Sequence, residues 1–237
     1  MAFEVLEKRD DDESSRDYAY RLLRKSIMTL ALKPGEVLNE GDLSEQLGMS
    51  RTPVHESLIL LKNEGLVDIL PQRGSKVSHI SLTFVKEGFF MRQILETAIV
   101  KELAGSLSSE QMGLLRSNID RQKELKSLET CNMEIISSFL NLDDQLHRML
   151  YEFSYRQRIW NSVHTLNSHY DRVRYLDTLV NTVDLNYIYQ QHERLYYYLL
   201  LGIPQDVDIQ SFYKSHLGRF LADFPKTMAA HPEYFID

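Results

Sequence analysis

The chain has 237 residues, 43% hydrophobic and 26% charged, which is ordinary for a globular protein and long enough for two modest domains. A single cysteine, Cys131, excludes an internal disulfide framework and fits a reducing cytoplasm, the expected location. No run approaches the ~20 apolar residues of a membrane span, and the opening MAFEVLEKRDDDE lacks the apolar core of a signal peptide. The net charge of −7 argues against nucleic acid as a partner of the chain as a whole. Charge acts locally, however, because fields decay over about 8 Å at cellular ionic strength. The acidic run Asp10 to Glu13 is followed by Arg16, Arg21, Arg24, Lys25, Arg51, Lys62, Arg73 and Lys76, which can present a basic face within an acidic protein.

Residues 1–13 read as a flexible acidic arm. From 14 to 31, Tyr18, Leu22, Leu23, Ile27 and Leu30 recur near a 3.6 period and predict a helix, which Pro34-Gly35 stops. Asn39 is a good N-cap for a short second helix that ends at Gly48, a residue suited to the left-handed position after a helix. Ser50 or Thr52 can cap a third helix with Pro53 in its first turn and Val54, Leu58 and Leu61 facing inward. Residues 66–69 and 76–80 alternate around Pro71-Gln72-Arg73-Gly74 and predict a hairpin. Three helices and a hairpin, with a tight link between the second and third helix, are the layout of a winged helix-turn-helix, assigned here to residues 14–80. Beyond it the chain reads as helical, with helices near 83–105, 109–128, 132–154, 157–180, 184–201 and 206–224. The expected fold class is mainly α: the winged head, then an all-α bundle over 81–237.

A helix that reads B-DNA must carry polar residues at its leading end. In the third helix these are Ser50, Arg51, Thr52 and His55. Arg51 can donate both arms of its fork to guanine O6 and N7, while Ser50 and Thr52 suit phosphate contacts near a helix N-terminus. Arg73-Gly74 falls at the tip of the wing, where the arginine can enter the minor groove. Singly, each is more simply a cap or a solvated charge; together, in this order of elements, they point to duplex DNA.

The same residues carry a family resemblance. The stretch Pro34-Gly35-Glu36-Val37-Leu38-Asn39-Glu40, the run Leu43 to Val54, and then Glu56-Ser57-Leu58, Glu64-Gly65-Leu66-Val67 and Pro71-Gln72-Arg73-Gly74 closely resemble the DNA-binding domain of the GntR family of bacterial regulators. Two positions depart from its pattern: Ser44 stands where the family usually has Ala, and His55 where it usually has an Arg that contacts DNA.

In the second half, polar residues occupy inward stripes. The stripes run Ile136, Leu140, Asp143, His147, Leu150, then Leu185, Ile188, His192, Leu195, Leu199, and finally Ile209, Phe212, His216, Phe220. Burying a carboxylate and several imidazoles without partners costs several kcal/mol. One carboxylate and three imidazoles are also a familiar ligand set for a divalent transition metal such as Zn, Ni, Fe or Mn. Separately satisfied core groups are the plainer reading of any one of them, but four on three stripes favour a shared ion.

This half resembles the FCD ligand-binding domain of FadR-type GntR regulators, through Met91 to Glu96, Leu142 to His147, His192 and His216, with Leu146 where Phe is common. The resemblance implies that Asp143, His147, His192 and His216 hold the metal and that a carboxylate effector binds beside it. Arg92, Arg172 and Arg174 are the candidates for a guanidinium fork on that effector. Arg92 can equally pair with Glu96, and Arg172 and Arg174, two residues apart, cannot share one helix face. The expected protein is a homodimeric, sequence-specific regulator, a repressor on a near-palindromic operator, and not an enzyme. A metal-dependent enzyme on the His/Asp site and a regulator with a purely structural metal are the alternatives.

Overall fold

A computed structural model describes residues 8–70, 74–128, 132–181 and 184–237. Arg73, the wing-tip candidate, lies outside the described residues, as does Cys131. The chain divides into two compact units, one drawn from Met1–Gly88, Thr165–Val180 and Phe224–Asp237, the other from Phe89–His164 and Asn181–Asp223.

The first unit contains the expected head. Helix α1 (Ser15–Met28) is capped by the Ser14 hydroxyl, which accepts from Asp17 N, and buries Tyr18, Ala19, Leu22, Leu23 and Ile27. Strand β1 (Val37–Leu38) leads into α2 (Glu40–Leu47), where the Asn39 side chain accepts from Gly41 N and Asp42 N. Gly48 closes α2 at φ 63°, the left-handed conformation its lack of Cβ allows. Helix α3 (Arg51–Asn63) buries Val54, Ser57, Leu58 and Leu61. The hairpin forms from β2 (Val67–Leu70) and β3 (Gly74–Val77), with Leu70 opposite Gly74. The two-residue β1, which periodicity could not reveal, pairs antiparallel with β3, so the sheet order is β1-β3-β2. One apolar cluster ties α1, α2, α3 and this sheet together through Leu23, Ile27, Leu43, Val54, Leu58, Leu61 and Val77.

The expected helix over 157–180 is two helices, α7 (Gln157–Leu166) in the second unit and α8 (Ser168–Val180) in the first. At the break, buried Ser168 donates to the Glu64 carbonyl at 2.9 Å instead of remaining on a helix surface. Helix α8 is fastened to the head by buried polar groups. Arg172 donates Nη1 to the Ser78 carbonyl at 2.7 Å and Nη2 to Ser78 Oγ at 3.1 Å, and His169 Nδ1 accepts from Ser81 N at 3.0 Å. Strand β4 (Ile80–Ser81) pairs in parallel with β5 (Phe235–Ile236) near the C-terminus, and the Asp237 carboxylate accepts from Leu82 N at 2.9 Å. Helix α4 (Leu82–Leu103) begins there. Gly88 permits its close approach to α8, since a Cβ would stand 2.7 Å from Asn167 Oδ1 and 3.2 Å from Tyr170 Cβ. Helix α11 (Phe224–Ala230) adds Thr227, whose hydroxyl bonds buried Asp177 of α8 at 3.0 Å.

The second unit is all-helical. It comprises most of α4, α5 (Ser109–Lys126), α6 (Met133–Phe153), α7, α9 (Leu185–Leu201), α10 (Ile209–Leu217) and a short 3-10 turn at Arg219–Ala222. A capping box at Ser108 and Gln111 starts α5, and Asn132, Asp184 and Asp208 cap α6, α9 and α10. Its core gathers Ile99, Val100, Leu115, Ile119, Phe139, Leu146, Leu150, Leu195, Leu199 and Tyr213. The winged head followed by a helical C-terminal half is the fold class read from the sequence.

Burial, reinforced by the Arg172 charge, pushes the His169 imidazole down to about 3. The unfolded chain binds a proton near pH 6.5 that the folded chain refuses, so His169 withdraws stability as pH falls through that range and none above it. Between pH 6.5 and 4.5 urea unfolding should show His169→Gln losing about 2 kcal/mol less than the parent. Equal losses in both proteins would contradict the assignment.

Candidate metal centre and DNA-reading helix

On α3, the residues expected to read DNA share the leading, solvent-facing end. Arg51, Thr52 and His55 are exposed, and inward Val54 and Leu58 hold the helix on the head. Ser50 occupies the N-cap position, is exposed and makes no cap hydrogen bond, so the first-turn N–H groups are not taken up by its hydroxyl. The His55 ring is held by Glu40 of α2, Nδ1 to Oε1 at 2.9 Å, an interaction the sequence did not signal. Gly74 opens β3 with φ 83°, and a Cβ there would meet nothing within 4 Å. The glycine answers a backbone demand of the hairpin, not a steric one.

In the second unit, Asp143 and His147 of α6, His192 of α9 and His216 of α10 converge, with one ligand atom from each lying within 4.8 Å of all the others. Their places follow from the four-residue step on α6 and from inward positions on α9 and α10. Asp143, His147 and His192 are buried. His192 Nε2 lies 3.2 Å from Asp143 Oδ1, and His216 Nε2 lies 3.2 Å from His147 Nε2. Burial, with His192 and His147 close by, holds His216 well below its usual range, so it stays a neutral imidazole with a lone pair to give.

The backs of two imidazoles are fixed by residues that the sequence did not single out for this role. Glu96 of α4 faces His147 Nδ1 at 2.6 Å, and Gln122 of α5 faces His192 Nδ1 through Oε1 at 2.7 Å. An ionised carboxylate and an amide oxygen can only accept, so both rings carry their proton on Nδ1 and turn Nε2 toward the cluster. Gln122 is itself oriented by donating to Asn118 Oδ1 at 2.8 Å, and Asn118 donates to the Leu142 carbonyl at 3.0 Å. Burial pushes Glu96 up, but Arg92 and His147 outweigh it and hold the carboxyl below its ordinary value. The donor set, its spacing and its fixed tautomers fit a divalent transition metal. The only signals in the sequence were Glu96 one turn after Arg92 and Gln122 four residues after Asn118, spacings too common to stand out.

The expected arginine fork is corrected. Arg172 is fully buried in the first unit, where Ser78 and His169 engage it, and burial lowers it to about 9. Arg174, in the same unit, pairs with Asp171 at 3.2 Å and lies over the Tyr170 ring. Two residues apart on α8, both are spent on the packing of that helix and not on the His/Asp cluster. Arg92 alone of the three belongs to the unit with the cluster; its Nε donates to Glu96 Oε1 at 2.7 Å, while Glu96 Oε2 holds His147.

Comparison with known proteins agrees with these two parts. Residues 16–77 match the model of the bacterial regulatory proteins of the gntR family, and residues 87–205 match the FCD domain. A protein of Streptomyces ambofaciens, described as an HTH-type transcriptional regulator in an unstable DNA locus, is 33% identical over 94% of this chain and 90% of its own. The HTH-type transcriptional repressor RspR of Escherichia coli K12 is 36% identical over 66% of this chain and 67% of its own. Among solved structures, a GntR regulator from Rhodococcus sp. RHA1 shares the fold with a TM-score of 0.69 at 18% identity, covering 92% of this chain and 99% of that one. Escherichia coli McbR/YncC does so with a TM-score of 0.65 at 22% identity, covering 92% and 96%. The chain therefore belongs to the GntR family, as a transcriptional regulator with a winged helix-turn-helix head and an FCD domain and not an enzyme.

Proposed function

We propose that this regulator binds a near-palindromic operator as a homodimer and represses from it, in the cytoplasm, until a small carboxylate effector binds beside a divalent ion held by Asp143, His147, His192 and His216. The carrying observation is the four-residue cluster with two imidazoles oriented from behind by Glu96 and Gln122. A purely structural requirement for polarity would not need two rings turned to offer Nε2 to one point. The ion, when bound, supplies a positive charge that attracts a carboxylate and leaves coordination positions for its oxygens. Glu96 and Gln122 hold the His147 and His192 rings with Nε2 aimed at the cluster, and Arg92 balances the Glu96 charge. The name of the relative RspR supports repression.

On the DNA side, Arg51 would read a guanine edge and Ser50 and Thr52 would contact phosphates. His55, pinned by Glu40, is shorter than an arginine and would reach less far toward a base edge. A homodimer places two such helices about one DNA turn apart, which is what a two-fold operator requires. The effector need only bind the two states of the dimer with affinities differing by a few kcal/mol to release the operator.

Arg51→Ala should weaken specific operator binding by about 1–3 kcal/mol per head and leave non-specific, salt-sensitive binding in place. Unchanged discrimination between operator and random duplex in a gel-shift competition would remove Arg51 from the reading helix. His192→Ala should lower the metal bound per chain, read by elemental analysis, and blunt effector-driven release. Glu96→Gln, which keeps shape but not charge, should weaken metal affinity by about 10–100-fold. Metal content at the parent level in His192→Ala would break the assignment of the cluster.

A further inference from the structure

Two phenols lie close to the His/Asp cluster and the groups behind it, Tyr213 against His216 and Tyr151 within reach of the Glu96 and Arg92 charges. Tyr151 follows His147 by one turn on α6, and Tyr213 precedes His216 by three residues on α10, with the Tyr213 and His216 ring centroids 6.2 Å apart. Both side chains are completely buried, and neither hydroxyl finds a hydrogen-bond partner among the described residues. The charges of Glu96 and Arg92 act on both hydroxyls, and the charge of Arg92 acts on His216 as well, which sets the phenols and the cluster around the same arginine.

A buried tyrosine ordinarily finds a partner for its hydroxyl, because one left unmade keeps the desolvation cost and gains nothing. Phenylalanine would fill the same space without that cost. Two unsatisfied phenols that share the Glu96 and Arg92 charges, one of them against a candidate ligand, are the kind of local conflict with stability that marks a place kept for binding. Both rings are anchored, Tyr151 against Trp160 and Tyr213 against Phe212, with centroids 5.3 and 5.7 Å apart, so their hydroxyls are held in position. Burial raises both phenols and keeps them protonated; each can donate a hydrogen bond.

We propose that Tyr151 and Tyr213 are specificity-determining residues of the effector site, and that the effector is a carboxylate bearing at least one further oxygen, as hydroxyl or carbonyl, that accepts from these phenols. This rests on the effector reading given above. The carboxylate satisfies the ion and leaves the phenols unmet, so a bare acid gains nothing from them, whereas an oxygen on the adjoining carbon skeleton does. Selection against the bare acid arises because binding it leaves two donors unpaired in a closed site.

The test uses the full-length, metal-loaded protein, Tyr151→Phe, Tyr213→Phe and the double variant, titrated with acetate, glycolate, pyruvate and glycerate. The parent should bind at least one of the three oxygen-bearing acids more tightly than acetate. The double variant should lose that preference by about tenfold or more, with acetate affinity and metal content unchanged. Without any acid, the phenylalanine variants should melt no lower than the parent. The single variants, read separately, keep the comparison available should the double variant fail to fold. Lower melting with undiminished preference would make the phenols structural and overturn the proposal. Acetate bound as tightly as every oxygen-bearing acid would overturn it too, while leaving the metal-and-carboxylate reading intact. No binding of any of the four acids would remove that reading, and this inference with it.

Discussion

A carboxylate and three imidazoles cannot be taken out of water together unless something compensates them, and most of the second unit is arranged around that constraint. Asp143, His147 and His192 are buried on α6 and α9, and His216 joins them from α10. Burial, and then the neighbouring His192 and His147, oppose a charge on His216, which is why it is held neutral. Rings that carry a proton on Nδ1 and turn Nε2 inward, as His147 and His192 do, are poor company for each other but good ligands for a cation. Glu96 and Gln122 fix that orientation from outside the cluster, so two further helices, α4 and α5, have polar positions dictated by the centre. Arg92 follows in turn, since an ionised Glu96 at zero exposure needs a cation of its own.

The first unit solves a different problem with similar means. Its head is held by an ordinary apolar core, yet α8, 80 or more residues later in the chain, is bound to it through Arg172, His169 and Ser168. A buried guanidinium that donates to a single serine's carbonyl and hydroxyl is a directional contact, strict about register in a way that leucines are not. The strand pair of Ile80–Ser81 with Phe235–Ile236 and the Asp237 cap on Leu82 fix the start of α4 in the same manner. The start of α4, within the first unit, is therefore specified by hydrogen bonds from elements distant in sequence.

How much of this was legible in the sequence follows from the range of each interaction. Helices α1, α2 and α3 announced themselves through period and caps, and the hairpin through alternation around a glycine, because those signals are local. The metal-candidate set was readable because Asp143, His147, His192 and His216 interrupt apolar stripes, and a polar residue on such a stripe must be accounted for. The break at Asn167, the transfer of α8 to the head's unit and the two-residue strands were not readable. They depend on contacts such as Ser168 with Glu64 and Ile80 with Phe235, which no window of a dozen residues contains. Two of the three arginines expected for the fork failed: Arg172 looked available until Ser78 was beside it, and Arg174 until Asp171 was. Glu96 and Gln122 were missed because a glutamate or glutamine on a helix is solvated far more often than buried.

The account stands or falls on whether the buried His/Asp cluster holds an ion at all. Calorimetric titration of chelator-stripped, full-length protein with Zn²⁺ measures that directly. The account predicts one tight, saturable site per chain. Weak, unsaturated binding with no defined stoichiometry, indistinguishable from that of surface carboxylates, would contradict it.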